Sequence, residues 1–109
     1  MSTPSVSIII VNFNAGSLLL ETVVAALSST ISVEIFVCDN HSSDGSMHFL
    51  RAGLRRRRSG FDRSPVSRDE TRSAELDGVY LIENSTNAGF SAANNIAMDE
   101  ARGDFILLL

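Results

Sequence analysis

The hydrophobic pattern of this chain alternates between two periods. Val6-Ser7-Ile8-Ile9-Ile10-Val11 is a β-branched apolar run of strand length, too short for a buried helix. Asn12-Phe13-Asn14-Ala15-Gly16 closes it with turn chemistry. From Leu18 to Leu27 the period becomes helical, with Leu20, Val23, Val24 and Leu27 on one stripe. Ser17 or Asn14 is the expected N-cap, and Ser28-Ser29-Thr30 ends the helix. A second apolar strand, Val33 to Cys38, runs into the polar cluster Asp39 to Ser46, where a second helix opens near Ser43 and carries Met47, Leu50 and Leu54. Val79-Tyr80-Leu81-Ile82 reads as a third strand, closed by Glu83-Asn84-Ser85-Thr86-Asn87. A third helix spans roughly Ser91 to Ala101, with Gly103 suited to the position past its end. Asp104-Phe105 then starts a fourth strand, in which the sequence stops.

Near-continuous apolar strands alternating with helices predict an α/β fold, a three-layer α/β/α arrangement around a mostly parallel sheet. In such a sheet, ligands bind outside the carboxyl ends of the strands. Three strand ends carry polar clusters here: Asn12 to Asn14, Asp39 to Asp44, and Asn84 to Asn95. The topology brings all three to one edge, and that convergence is the functional signal.

Composition removes several alternatives. At 109 residues and 44% hydrophobic, the chain is one small domain and not a disordered segment. No apolar run reaches the roughly 18 residues of a membrane-spanning helix. No basic residue precedes the first apolar run, which speaks against a secretory signal. A lone cysteine, Cys38, forms neither an internal disulfide nor a multi-cysteine zinc site; it reads as a small buried hydrophobe in a reducing compartment. The first strand is not followed by G-x-G-x-x-G, and a chain without lysine has no P-loop. A receiver-like signalling module wants an acidic pair after the first strand and a later lysine; both are missing.

Charge is distributed unevenly. Residues 51–72 hold eight arginines against three acids, a local +5, and the rest of the chain carries −9. The stretch around Arg55-Arg56-Arg57-Arg58 has no sustained apolar period and reads as a solvated, mobile loop over about 55–77. Such a loop offers a peripheral contact to an acidic membrane surface. With Phe61 as its one ring, it lacks the aromatic interleaving of a single-strand nucleic-acid binder.

Within the polar clusters, Asp39 is either a turn aspartate or a fixed acceptor for a base N–H or ribose hydroxyls. Asn40, Ser42, Ser43 and Asp44 read as turn and capping residues, and His41 and His48 as solvent-exposed. Helix starts at Ser43 and Ser91 could offer N–H groups to a phosphate. Asn94 and Asn95 are poor mid-helix residues, which points to something other than propensity keeping them there; the alternative is that one faces solvent and the other caps a neighbouring loop.

Three segments in order resemble the family 2 glycosyltransferases: Val6 to Asn14, Val37-Cys38-Asp39-Asn40-His41-Ser42-Ser43-Asp44-Gly45-Ser46, and Asn87-Ala88-Gly89-Phe90-Ser91-Ala92-Ala93-Asn94-Asn95. The second is similar to the V-D-N-x-S-x-D-G-S pattern of the bacterial rhamnosyltransferase-like branch, and the third to its N-x-G-F-x-x-x-x-N signature. The resemblance covers nearly the whole chain apart from residues 55–77. It implies the Rossmann-like GT-A half that holds a nucleoside-diphosphate sugar, dTDP- or UDP-linked, with dTDP-rhamnose as the expected donor. By carry-over, Asn12, Phe13 and Asn14 would line the base and ribose pocket. Asp39 would hydrogen-bond the base, with Asn40 beside it. Asn87 and Gly89 would border the nucleotide, Asn95 would brace the pocket, and Phe90 would pack beneath the loop. On this reading, Asp39→Ala removes nucleotide binding and keeps the fold.

The resemblance also implies an inverting, metal-assisted transfer to a glycan or lipid-linked acceptor, as in cell-surface polysaccharide biosynthesis, in the cytoplasm or at the inner face of the cell membrane. The family's aspartate-containing metal motif follows the fourth strand, so the ligands of an expected Mg or Mn ion, the general base and the acceptor region are all expected beyond Leu109. The chain is thus expected to be truncated after its fourth strand and inactive alone. The alternative is a non-catalytic nucleotide-binding module completed by a partner chain.

Overall fold

The computed structural model describes residues 4–59, 73–76 and 78–109. Its elements are β1 (Val6–Asn12), α1 (Ser17–Leu27), β2 (Val33–Asp39), α2 (Ser46–Ser59), β3 (Ser73–Leu76), β4 (Val79–Glu83), α3 (Phe90–Glu100) and β5 (Phe105–Leu108). They form one sheet in the order β3-β4-β2-β1-β5, in which β4, β2, β1 and β5 are parallel and β3 is antiparallel.

Alternation along the central strands feeds two cores. Ile8, Ile10, Ile35, Val37, Val79 and Leu81 pack against Leu19 and Val23 of α1 and Met47, Leu50 and Leu54 of α2. Ile9, Phe36, Cys38 and Ile82 face the other way, onto Ala93 and Ala97 of α3. Small alanines let α3 lie close over β1 and β2. The predicted three-layer α/β/α arrangement is therefore present. The winding reverses at β1: β2 and β4 lie on one side of it, and α3 crosses the opposite face to deliver β5 to the other side.

The predicted helix boundaries move by a few residues for identifiable reasons. The α1 stripe is centred on Leu19, Val23 and Ala26, with Leu20 and Leu27 half-buried at its flanks. Its N-cap is Gly16, with no side-chain cap, in place of the expected Ser17 or Asn14. α2 starts at Ser46, after Gly45 has taken a φ of 81°.

The loop expected over about 55–77 is shorter than that. Arg55 to Ser59 continue α2, since arginine is a good helix former and no Gly or Pro intervenes before Gly60. Ser73–Leu76 forms β3, paired with β4 so that Leu76 faces Val79. The described residues thus include a fifth strand that the alternation did not announce, and β5 is the predicted fourth. The dipeptide Asp77-Gly78 was the hairpin signal in the sequence. The remaining part of that loop, 60–72 and 77, with Phe61 and three arginines, lies outside the described residues.

A buried carboxylate fixes the corner between α3 and β5. Ser7 and Glu34 are register partners on β1 and β2, and both are buried. The Ser7 hydroxyl donates to Glu34 Oε2 at 2.6 Å and accepts from the Gly103 amide at 2.9 Å. The Arg102 amide also donates to Glu34 Oε2, at 2.6 Å, and its guanidinium reaches Glu34 Oε1 at 3.3 Å and the Tyr80 hydroxyl at 3.1 Å. Gly103 was expected to serve a left-handed helix cap, but Ala101 ends α3 in an extended conformation. The glycine is needed for contact: a Cβ there would sit 2.6 Å from the Ser7 nitrogen. β5, held by this corner, is exposed along its whole length.

Candidate functional site

The parallel register sets Asn12, Asp39 and Glu83 abreast at the carboxyl ends of β1, β2 and β4. Pairing continues one step beyond the strands, with the Asn40 amide donating to Asn12 O and the Asn84 amide to Asp39 O, each at 2.9 Å. The three predicted polar clusters therefore meet at one edge of the sheet.

Asp39 and Asn40 point to opposite faces, as successive residues of a strand do. On the side of α1 and α2, Asp39 is 4% exposed. Its Oδ1 accepts from Asn12 Nδ2 at 2.8 Å and from the Ser42 hydroxyl at 2.6 Å, and its Oδ2 accepts from the Ser42 amide at 3.1 Å. The Asn12 amide group also reaches the hydroxyls of Ser46 (2.8 Å) and Ser42 (3.1 Å), while its oxygen accepts from the Ala15 amide at 3.3 Å. Asn14 and the 42–43 segment clasp each other: the Asn14 amide donates to Ser42 Oγ and the Ser43 amide to Asn14 Oδ1, both at 2.9 Å. Asn14 and His41 hold positive φ angles of 53° and 62°, and His41 is exposed.

Asp44 joins two helix starts. One carboxylate oxygen accepts from the Gly16 amide at the start of α1, the other from the Ser46 amide at the start of α2, each at 2.9 Å. Hydrogen bonds from Ser46, then Gly16, hold its carboxyl below the usual aspartate range. The start of α2, expected to offer N–H groups to a phosphate, is thus served by a carboxylate of the chain itself. The start of α3 differs, since Gly89 caps it at a φ of 90° without any side-chain cap hydrogen bond.

On the α3 side, Asn40 is 2% exposed and bonds to Gly89, Asn84 and Ala88. Asn84 also lies 3.5 Å from the sulfur of Cys38, which is fully buried as expected. Burial pushes the Cys38 thiol pKa up, opposed by the Asn84 hydrogen bond and aided by the charge of Asp39. Asn87 accepts from the Gly89 amide at 2.9 Å.

The expected site residues therefore fall into two sets. Asn12, Asp39 and Asn40 are buried braces; Phe13, Asn14, Asn87 and Gly89 are exposed around them, with Phe13 54% exposed. Two placements differ from expectation. Asn95, expected to brace the pocket, is exposed, and Asn94 takes the buried position and donates to Phe90 O at 3.2 Å. Phe90 does not pack beneath the loop but is 60% exposed, because it begins the helix on the outer side of Gly89. Asn84 was missing from the expected set, although its place directly after β4 matches that of Asn40 directly after β2.

The carboxylates at this edge do not fit a metal site. Asp39 and Asp44 are both engaged as acceptors, and no group of three His, Cys, Asp or Glu side chains gathers among the described residues. A groove of about 480 Å³ lies elsewhere, between α1 and β5, lined by residues including Ile8, Thr22, Ala26 and Leu107. No described helix is long and apolar enough to cross a membrane.

The geometry can be set beside known proteins. The fold superposes on a mannosyltransferase, PcManGT, from Pyrobaculum calidifontis in complex with GDP-Man and Mn2+, with a TM-score of 0.72 at 20% sequence identity. That alignment takes in 97% of this chain and 27% of the other, so the chain spans about a quarter of that protein's length. No curated protein sequence matches the chain. The family model described as "Glycosyl transferase family 2" matches residues 7–109, from the second residue of β1 to the end of the sequence. The chain belongs to glycosyl transferase family 2.

Proposed function

We propose that this domain is the nucleotide-sugar-binding part of a glycosyltransferase, which transfers a sugar from a nucleoside-diphosphate donor to a glycan or lipid-linked acceptor. The observation that carries this reading is the convergence of Asn12, Asp39 and Asn84 at the carboxyl edge, where the winding of the sheet reverses. The buried amides and Asp39 supply a rigid floor. Above it, Phe13, Asn14, Asn87 and Gly89 present an exposed ring, amide groups and an uncapped helix start. That combination suits a base, a ribose and a diphosphate respectively.

Asp39 has one carboxylate oxygen, Oδ2, with a single hydrogen bond, so it retains acceptor capacity for a base N–H. The structure changes what its removal would do. Asp39→Ala takes the acceptor from Asn12 and Ser42, so it costs stability as well as affinity. The variant that tests the pocket cleanly is Phe13→Ala, at an exposed position.

The sequence motifs favour dTDP-rhamnose as donor, and the complex formed by PcManGT makes GDP-mannose the competing candidate. Calorimetric titration of the chain with dTDP, UDP and GDP separates them. Binding of at least one is expected, weakened about tenfold by Phe13→Ala, in line with the 1–3 kcal/mol of a base–aromatic stack. No affinity for any of the three at millimolar concentration would overturn the reading.

A further inference from the structure

We infer that Asn40 is a positioning residue: it sets the loop from Asn84 to Gly89, and with it the start of α3, and acts on a bound nucleotide only through that loop. The inference rests on the nucleotide-binding reading given above.

Asn40 links three segments that are distant in sequence. Its backbone amide donates to Asn12 O at 2.9 Å, which fixes it to the sheet. Its side chain turns to the α3 face. There Nδ2 donates to Gly89 O at 3.1 Å, and Oδ1 accepts from Asn84 Nδ2 at 2.9 Å and from the Ala88 amide at 3.4 Å. Among the described residues, every hydrogen bond that ties Ala88 and Gly89 to the sheet ends on this one side chain. Gly89 O also accepts from the Ala93 amide at 3.1 Å, a bond of the first turn of α3. Asn40 therefore grips the carbonyl on which the helix begins.

Only a primary amide does this. Aspartate would lack the donor for Gly89 O, and an aliphatic residue would leave Asn84 and Ala88 without an acceptor. Its Oδ1 already accepts two hydrogen bonds within the chain, unlike Asp39 Oδ2, which accepts one, so the buried Asn40 side chain serves the loop and not a ligand. The helix start that it holds has no side-chain cap and lies at the carboxyl edge, where its N–H groups favour an anion. Asn40 thus contributes to the diphosphate end of the ligand and not to the base.

The test compares Asn40→Ala and Asn84→Ala with the unaltered chain. Both changes are neutral, and the second removes a single leg of the bracket should the first fail to fold. The ligands are whichever of dTDP, UDP and GDP binds most tightly, and its own nucleoside. Asn40→Ala is expected to lower the diphosphate affinity about tenfold and leave the nucleoside affinity unchanged, with Asn84→Ala intermediate. Amide exchange at Gly89 to Ala93 should quicken about tenfold, while exchange at Asn14, Gly16 and Ser43 stays as it was. Equal losses for diphosphate and nucleoside, or none in either variant, overturn the inference and leave the nucleotide reading standing. No binding by the unaltered chain overturns both.

Discussion

Asn12 donates from Nδ2 to Oδ1 of Asp39 across 2.8 Å, and the two residues end adjacent parallel strands in register. The same amide reaches Ser42 and Ser46, so one side chain holds the ends of two strands and the entrance to α2 together. Asn12→Ala leaves a buried carboxylate and two hydroxyls short of a donor, and should lower unfolding free energy by about 1–3 kcal/mol in urea titrations. Asn12→Asp should cost more at neutral pH, because it sets two carboxylates side by side.

Asp44 gives a pH dependence with a defined sign. Its carboxyl is held below its usual value of 3.8 by Ser46 and Gly16, so the charged form is favoured in the folded state. The stabilisation it provides is fully present above that usual value. It is lost as the pH falls through the lowered native value. Asp44→Asn keeps a capping oxygen and removes the charge. The stability difference between the unaltered chain and this variant should be constant near neutral pH and vanish at strongly acidic pH. A difference that grows on acidification contradicts the assigned role.

The corner at Gly103 makes a steric prediction. A Cβ placed 2.6 Å from the Ser7 nitrogen and 2.7 Å from its hydroxyl meets backbone as well as side chain, so Gly103→Ala must displace β5 or the end of α3. A loss of about 1–3 kcal/mol is expected, the usual scale for overpacking. Glu34→Ala should be worse, about 3 kcal/mol or more, since it strands the buried Ser7 hydroxyl and the Arg102 amide. Arg102→Ala should cost under about 1 kcal/mol, because its guanidinium is largely solvated. Thermal unfolding of the three variants checks the order.

The parallel core and the site edge were legible because both depend on short-range signals. Ile8 to Val11, Ile35 to Cys38 and Val79 to Ile82 are continuous apolar runs, and each is followed within two residues by Asn or Asp. What stayed hidden depends on pairing over distance. Ser73 to Leu76 shows little strand character and becomes β3 only because β4 offers an edge. The split between Asn94 and Asn95 depends on which face of α3 meets Phe36 and Cys38, and nothing local decides it. Gly103 was recognisable as a required glycine, but its reason lies 96 residues away, on Ser7. Asn40 looked like a turn residue because its partners, Asn84 and Gly89, belong to another strand end.

β5 carries the last prediction. Phe105, Ile106, Leu107 and Leu108 pair with β1 on one side, yet all are exposed, Phe105 to 71%. Among the described residues no strand pairs with its outer edge, and an apolar edge strand of this kind is a template for further pairing. The 109-residue chain should therefore associate as its concentration rises. A lysine on such an edge opposes association, because a partner strand would have to bury the charge. Phe105→Lys should thus lower the mass measured by light scattering toward that of one chain, 11.8 kDa, without lowering the melting temperature much, since Phe105 buries little. If the unaltered chain stays monomeric at all concentrations, the edge is less adhesive than its composition indicates. If Phe105→Lys associates as strongly as the unaltered chain, the contact lies elsewhere, and the groove between α1 and β5 is the next surface to alter.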